Sequence, residues 1–143
     1  MYRRIGEDPA FSRCFHVGES YLVLRRLRGI TLYDCLRAGV FIPPQPIEDI
    51  DAALAYPVSR GLHAHDVHDR NGMLHQDRGL IVDISDFLNP DPCWAWRDRR
   101  WAYHRLYRPL IAPLRLRAPA AVLDGVRKGY RLFRRVVQRE RRR

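Results

Sequence analysis

Lysine is nearly absent from this 143-residue chain: Lys128 is the only one among 26 lysines and arginines. A GC-rich genome favouring arginine codons is the bland explanation of that bias, yet the bias leaves residues 1–127 with no lysine to hold a phosphate. Long apolar runs are missing as well. The longest are short stretches around Ile81-Val82 and Val136-Val137, far below the roughly 20 residues of a membrane-crossing helix. The opening MYRRIGEDPAF contains no apolar signal region, so secretion is not expected. The three cysteines, Cys14, Cys35 and Cys93, are odd in number and widely spaced. They fit neither a disulfide framework nor a CxxC metal pair, and predict free thiols in a reducing cytoplasm. The nine glycines form no GxGxxG loop.

What is present suits one domain with a real core, since 46% of the residues are hydrophobic. The net charge of +10 is unevenly placed: residues 115–143 hold 11 of the 26 basic residues and 2 of the 16 acidic ones. The basicity thus belongs to a C-terminal tail, and bears on partners more than on fold. Residues 1–114 read as the folded domain.

Along the chain, residues 11–15 and 21–27 read as short strands joined by a turn around Gly18. Thr31 with Asp34 resembles a capping box opening a short helix that Gly39 can close. Pro43, Pro44 and Pro46 predict a stiff connector. Ile47, Ile50, Leu54 and Val58 then recur at helical spacing, with Glu48, Asp49 and Asp51 in the first turn, where the helix dipole favours anions. Pro57 predicts a kink or an early stop. Residues 94–111 read as an aromatic-rich helix, its tryptophans Trp94, Trp96 and Trp101 belonging to the core. Residues 120–139 read as a helix with Val122, Val126, Tyr130, Phe133 and Val137 on one stripe, expected to pack on the domain's own core.

The informative stretch is GLHAHDVHDRNGMLHQDRGLIVDISDF, Gly61 to Phe87. Met73–His75 and Leu80–Val82 predict a hairpin turning at residues 76–79, with 75 opposite 80 and 73 opposite 82. Its open end brings Asn71 or Gly72 close to Asp83, and Asp66 lies on the loop leading in. Three oxygen-bearing side chains converge there.

That spacing, Asp-x4-Asn, a hairpin, then Asp after an apolar strand, resembles the catalytic region of protein kinases. More narrowly, YLVLRRLRGITLYDCL, HAHDVHDRN and IVDISDF resemble small bacterial serine/threonine-protein-kinase-like proteins, over roughly residues 8–110. The resemblance implies an α+β fold: a protein-kinase-like C-lobe over residues 30–114, mainly helical with short hairpins, behind a vestigial N-lobe and hinge in residues 1–29. It implies Asp66 as the catalytic base, Asn71 and Asp83 as Mg2+ ligands, and Asp98 as the brace of the catalytic loop. The activity implied is transfer of the γ-phosphoryl group of ATP, with Mg2+, to a hydroxyl on a protein or small molecule. His68 occupies the place of a phosphate-facing lysine. Ala64-His65 stands where kinases have His-Arg, and Asp83 is followed by Ile84-Ser85 rather than Phe-Gly. Asp86-Phe87 offers a second Asp-Phe, though Asp83 fits the strand end better. The glycine-rich loop and the phosphate-pairing lysine have no counterpart in the chain.

Two rival readings stand beside this one. His63, His65, Asp66 and His68 spell H-x-H-D-x-H, close to a zinc-hydrolase signature; imidazole and carboxylate suit zinc. A non-catalytic pseudokinase or binding module would instead use the basic tail on an anionic partner, a membrane surface or a nucleic acid. The expected location is the cytoplasm, with peripheral attachment to the membrane through that tail.

Overall fold

A computed structural model describes residues 2–65, 67–91 and 94–140, excluding the side chains of Arg3, Arg131 and residues 134–140. The fold is α+β, with small antiparallel sheets among helices. Helix α1 (Tyr2–Ile5) precedes strands β1 (Cys14–Val17) and β2 (Leu22–Leu24), an antiparallel hairpin with a bulge between Cys14 and His16. The expected strand at 11–15 is displaced: Phe11 instead bridges to Ile81, and the Ile81 N–H donates to the Ala10 carbonyl at 2.8 Å.

Strand β3 (Ile30–Thr31) runs into α2 (Leu32–Ala38) with the expected caps. Thr31 Oγ1 accepts from the Asp34 N–H at 3.0 Å, and Gly39 ends the helix at φ 69°, in the left-handed region that glycine tolerates. Helix α3 (Pro44–Ala53) starts earlier than the proline pattern suggests. Pro44 sits in the first turn, where a missing N–H costs nothing and a fixed φ helps. Glu48, Asp49 and Asp51 therefore fall beyond the first turn. The break at Pro57 is as expected: α3 ends, and α4 (Ala55–Ser59) follows after Leu54. Pro57 has no N–H for the Ala53 carbonyl. The break buries Pro57 and turns Val58 out to solvent.

Strands β4 (Gly72–His75) and β5 (Arg78–Ile81) complete a three-stranded sheet in the order β3-β4-β5. The register differs from the sequence expectation. Met73 faces Leu80 and His75 faces Arg78, around a two-residue turn. Gln76 and Asp77 both adopt positive φ, 47° and 61°. Such a turn matches the right-handed twist of the strands, so it wins over a four-residue loop although neither residue is glycine. One face of this hairpin packs on α3, where Ile50 and Ile81 are fully buried. Asp49 locks the two together: its carboxylate accepts from Arg78 Nε at 2.7 Å, the Gly79 N–H at 3.0 Å and Gln45 Nε2 at 2.9 Å. Burial works to raise the Asp49 carboxyl, but these donors outweigh it and hold the group below the ordinary carboxylate value.

The aromatic region is α5 (Ala95–Ala102) followed by a π-helix, Tyr103–Ile111. Pro109 within it lacks an N–H and would crowd an α-helical turn. Tyr103 OH donates to the Ile42 carbonyl at 3.0 Å, and the Ile42 N–H donates to Tyr107 OH at 2.9 Å. Of the tryptophans, Trp96 is buried and bonds Asp51, Trp94 stacks under Arg97, and Trp101 is exposed rather than in the core.

Helix α6 (Ala120–Glu140) is the last element of the described residues. Its described stripe residues Val122, Val126 and Phe133 face water instead of the core; the Val137 side chain lies outside the described residues. The half-buried side carries Leu123, Asp124, Arg127 and Tyr130. Tyr130 OH donates to Asp98 Oδ2 at 2.7 Å, and Arg70 pairs with Asp124 at 3.4 Å. These polar anchors set the helix's rotation.

Candidate functional site

The segment from Leu62 to Phe87 is tied down at both ends. Leu62, Val67, Ile84 and Phe87 are buried, and the His63 N–H donates to the Phe87 carbonyl at 2.8 Å. The Tyr33 N–H donates to the Asp69 carbonyl at 2.9 Å, joining the loop to α2. The Asp69 side chain pairs with Arg99 of α5. Burial would raise the Asp69 carboxyl, yet the Arg99 charge and hydrogen bond hold it below the ordinary value. Arg70 lies over the Tyr33 ring at 4.1 Å.

His68 organises the exit of the loop. Its carbonyl accepts from the Asn71 and Gly72 N–H groups at 2.8 and 3.0 Å, and its Nδ1 accepts from the Arg70 N–H at 3.2 Å. The Asn71 carbonyl in turn accepts from the Val82 N–H at 2.8 Å. That bond extends the hairpin by one pair and sets the backbone of Asn71 beside the residue before Asp83. Asp83 is exposed, and one of its oxygens accepts from the Ser85 N–H at 2.8 Å. Asp86 is also exposed, while Phe87 plugs the core.

The sequence expectation of Asn71 and Asp83 at one end of the hairpin therefore agrees with the backbone, despite the changed register. Asp66, assigned as base, lies outside the described residues, as does Cys93. His65, its neighbour, has a buried Nδ1 with no hydrogen-bond partner among the described residues. Asp98 is half-buried and accepts from Tyr130 of α6; the next residue, Arg99, pairs with Asp69 of the loop. Among the described residues, no three His, Cys, Asp or Glu side chains gather closely enough to hold a metal ion. His63 is exposed, and His68 Nδ1 is engaged in the turn.

Two features had no sequence signal. The Tyr2 phenol is pushed above the ordinary value, first by burial and then by the Asp83 charge. A cleft of about 320 Å³ opens between Pro9, the Arg25–Arg28 segment, and His75 and Leu80 of the hairpin. Arg25 frames it, donating to the Phe11 carbonyl at 2.8 Å.

No family model matches the chain. Over 117 residues, 81% of the chain, it is 27% identical to a Bacillus subtilis (strain 168) protein named "Putative serine/threonine-protein kinase YrzF". The likeness is distant, and it points to a kinase-like relative. The match covers 54% of that protein, so the chain spans about half the length of the curated relative it matches.

Proposed function

We propose that this chain forms the C-lobe of a protein-kinase-like phosphotransferase. The observation that supports the reading is the Val82–Asn71 backbone bond, which brings the backbone of Asn71 to Val82, one residue before Asp83, at the open end of the hairpin. The named relative supports the same class. Asn71 and Asp83 offer an amide and a carboxylate oxygen, the hard donors that Mg2+ takes, and would hold it. When bound, that ion neutralises charge on the nucleotide phosphates. The cleft beside Leu27 and Leu80 would receive ATP. Asp66 accepts the proton of the attacking hydroxyl as its oxygen bonds the γ-phosphorus, and ADP leaves with the electrons of the broken P–O bond. The Asp69–Arg99 pair and Asp98 position the loop from α5.

Titration calorimetry with ATP separates the readings. We expect weak binding that requires Mg2+ and disappears in Asp83→Asn. ADP release in the presence of hydroxyl acceptors should fall by at least about a hundredfold in Asp66→Asn, the scale of general-base catalysis. Tight ATP binding without Mg2+, unaffected by Asp83→Asn, would refute the metal assignment. Mg2+-dependent binding with no turnover would identify a non-catalytic pseudokinase.

A further inference from the structure

Helix α6 presents its apolar side to water. Val122, Val126, Leu132 and Phe133 are 55%, 67%, 64% and 64% exposed. At 3.6 residues per turn these four positions, with Gly125 and Gly129, share a wedge roughly 120° wide. Among the described residues, nothing lies within 4 Å of where a side chain would stand at either glycine, so the wedge is open there. A helix of a globular domain ordinarily docks by this side. Here the docked side is the polar one, held by Tyr130 to Asp98 and by Asp124 to Arg70.

Charge selects the occupant. Residues 115–143 carry 11 basic and 2 acidic residues, a net charge of +9. Of the two acids, Asp124 is paired with Arg70 and Glu140 stands at the end of the helix. A second copy would press two such segments together, and like charges repel. A nucleic acid would take the charge but has no use for a continuous apolar wedge, since its affinity comes from phosphate contacts. An anionic phospholipid layer takes both. Leu114 and Leu116, exposed beside Arg115 and Arg117 just before the helix, extend the same composition.

We propose that α6 is an interfacial helix that docks this protein on an anionic phospholipid surface. The valines, Leu132 and Phe133 enter the boundary between headgroups and acyl chains, and the exposed Arg115, Arg117 and Lys128 meet the headgroups. Gly125 and Gly129 weaken the free helix, so part of its order comes from the surface it meets. Docking leaves the Tyr130–Asp98 and Asp124–Arg70 contacts intact, so the domain is carried to the membrane with its loop still braced. This inference is independent of catalysis.

The test uses the full chain, the variant Val126→Ser/Phe133→Ser, and cosedimentation with phosphatidylcholine vesicles with and without phosphatidylglycerol. The variant keeps every charge, and both positions are exposed, so its thermal melt should match the parent. We expect binding only to the phosphatidylglycerol vesicles, weakened by salt, and at least about tenfold weaker in the variant, as losing two apolar groups from the membrane boundary requires. Binding to a short DNA duplex should be equal for the two proteins. Equal vesicle binding by both proteins, or none by the parent, overturns the proposal. Duplex binding tighter than vesicle binding makes nucleic acid the occupant and also overturns it. So does a dimer of the full chain that the variant loses, which makes a second copy the occupant.

Discussion

Replacing Gly79 with alanine tests how tightly the hairpin that carries Asn71 and Asp83 is seated. A Cβ at Gly79 would lie 2.1 Å from the Pro46 carbonyl oxygen and 2.9 Å from Ile50 Cγ1. The nearest obstacle is backbone in the first turn of α3, so no rotamer change relieves it. β5 and α3 would have to separate by roughly 1 Å in a close-packed interior. Overpacking of this kind costs about 1–3 kcal/mol. The same separation pulls the Gly79 N–H away from Asp49, now 3.0 Å apart, and a hydrogen bond to a charged group is worth about 1.5–3 kcal/mol. The expected loss is about 3–5 kcal/mol, a third or more of the stability of an ordinary domain, and a melting temperature lower by roughly 10 °C or more. Gly129→Ala is the internal control. A side chain at that glycine would meet nothing within 4 Å among the described residues, and the position is helical, so alanine there should stabilise by about 0.5–1 kcal/mol. Thermal or urea unfolding followed by circular dichroism reads both. Equal melting temperatures for Gly79→Ala and the parent would refute the packing argument.

Arg99→Ala should cost about 2 kcal/mol at pH 7, because it leaves the largely buried Asp69 carboxylate without its cation. Asp69 is held below its ordinary value in the folded chain, so its contribution is complete above about pH 4 and is lost as pH falls through the depressed folded value. The deficit of the variant should therefore shrink in urea titrations below about pH 4; a constant deficit would place the cost elsewhere. The Cys35 thiol is pushed up to about 11, by burial first and by the Asp34 charge second. Alkylation at pH 8 mapped by mass spectrometry should label Cys35 at least about tenfold more slowly than Cys14 until denaturant is added; equal rates in the folded protein would contradict its burial. Tyr107→Phe removes the acceptor of the Ile42 N–H and should cost about 1–3 kcal/mol in unfolding experiments. A neutral result would mean that water replaces the phenol oxygen.

Short-range chemistry made much of the fold legible from residue order. The Thr31 and Gly39 caps, the break at Pro57 and the hairpin after Asn71 all depend on neighbours within a few positions. For the same reason Asn71 and Asp83 could be placed together: a hairpin closes on itself whatever the rest of the chain does. The exact pairing was not legible, because Gln76-Asp77 lacks the glycine that usually marks a two-residue turn. Much of the likeness to kinases arose from the same local stretch, Asp66 to Asp83.

Sequence alone determined the caps, the breaks, the open end of the hairpin and the concentration of arginine after residue 114. Tertiary structure alone decided what meets across distance. Arg99 makes an ion pair to the loop at Asp69, the Asp83 charge reaches the Tyr2 phenol, and α6 turns Val126 and Phe133 outward because Tyr130 and Asp124 find partners in the domain. Caps and turns draw on interactions a few residues long, whose partners are fixed by spacing. Contacts between distant elements depend on which surfaces dock, and the entropy of closing a loop grows so slowly with its length that separation along the chain gives little guide to the partner.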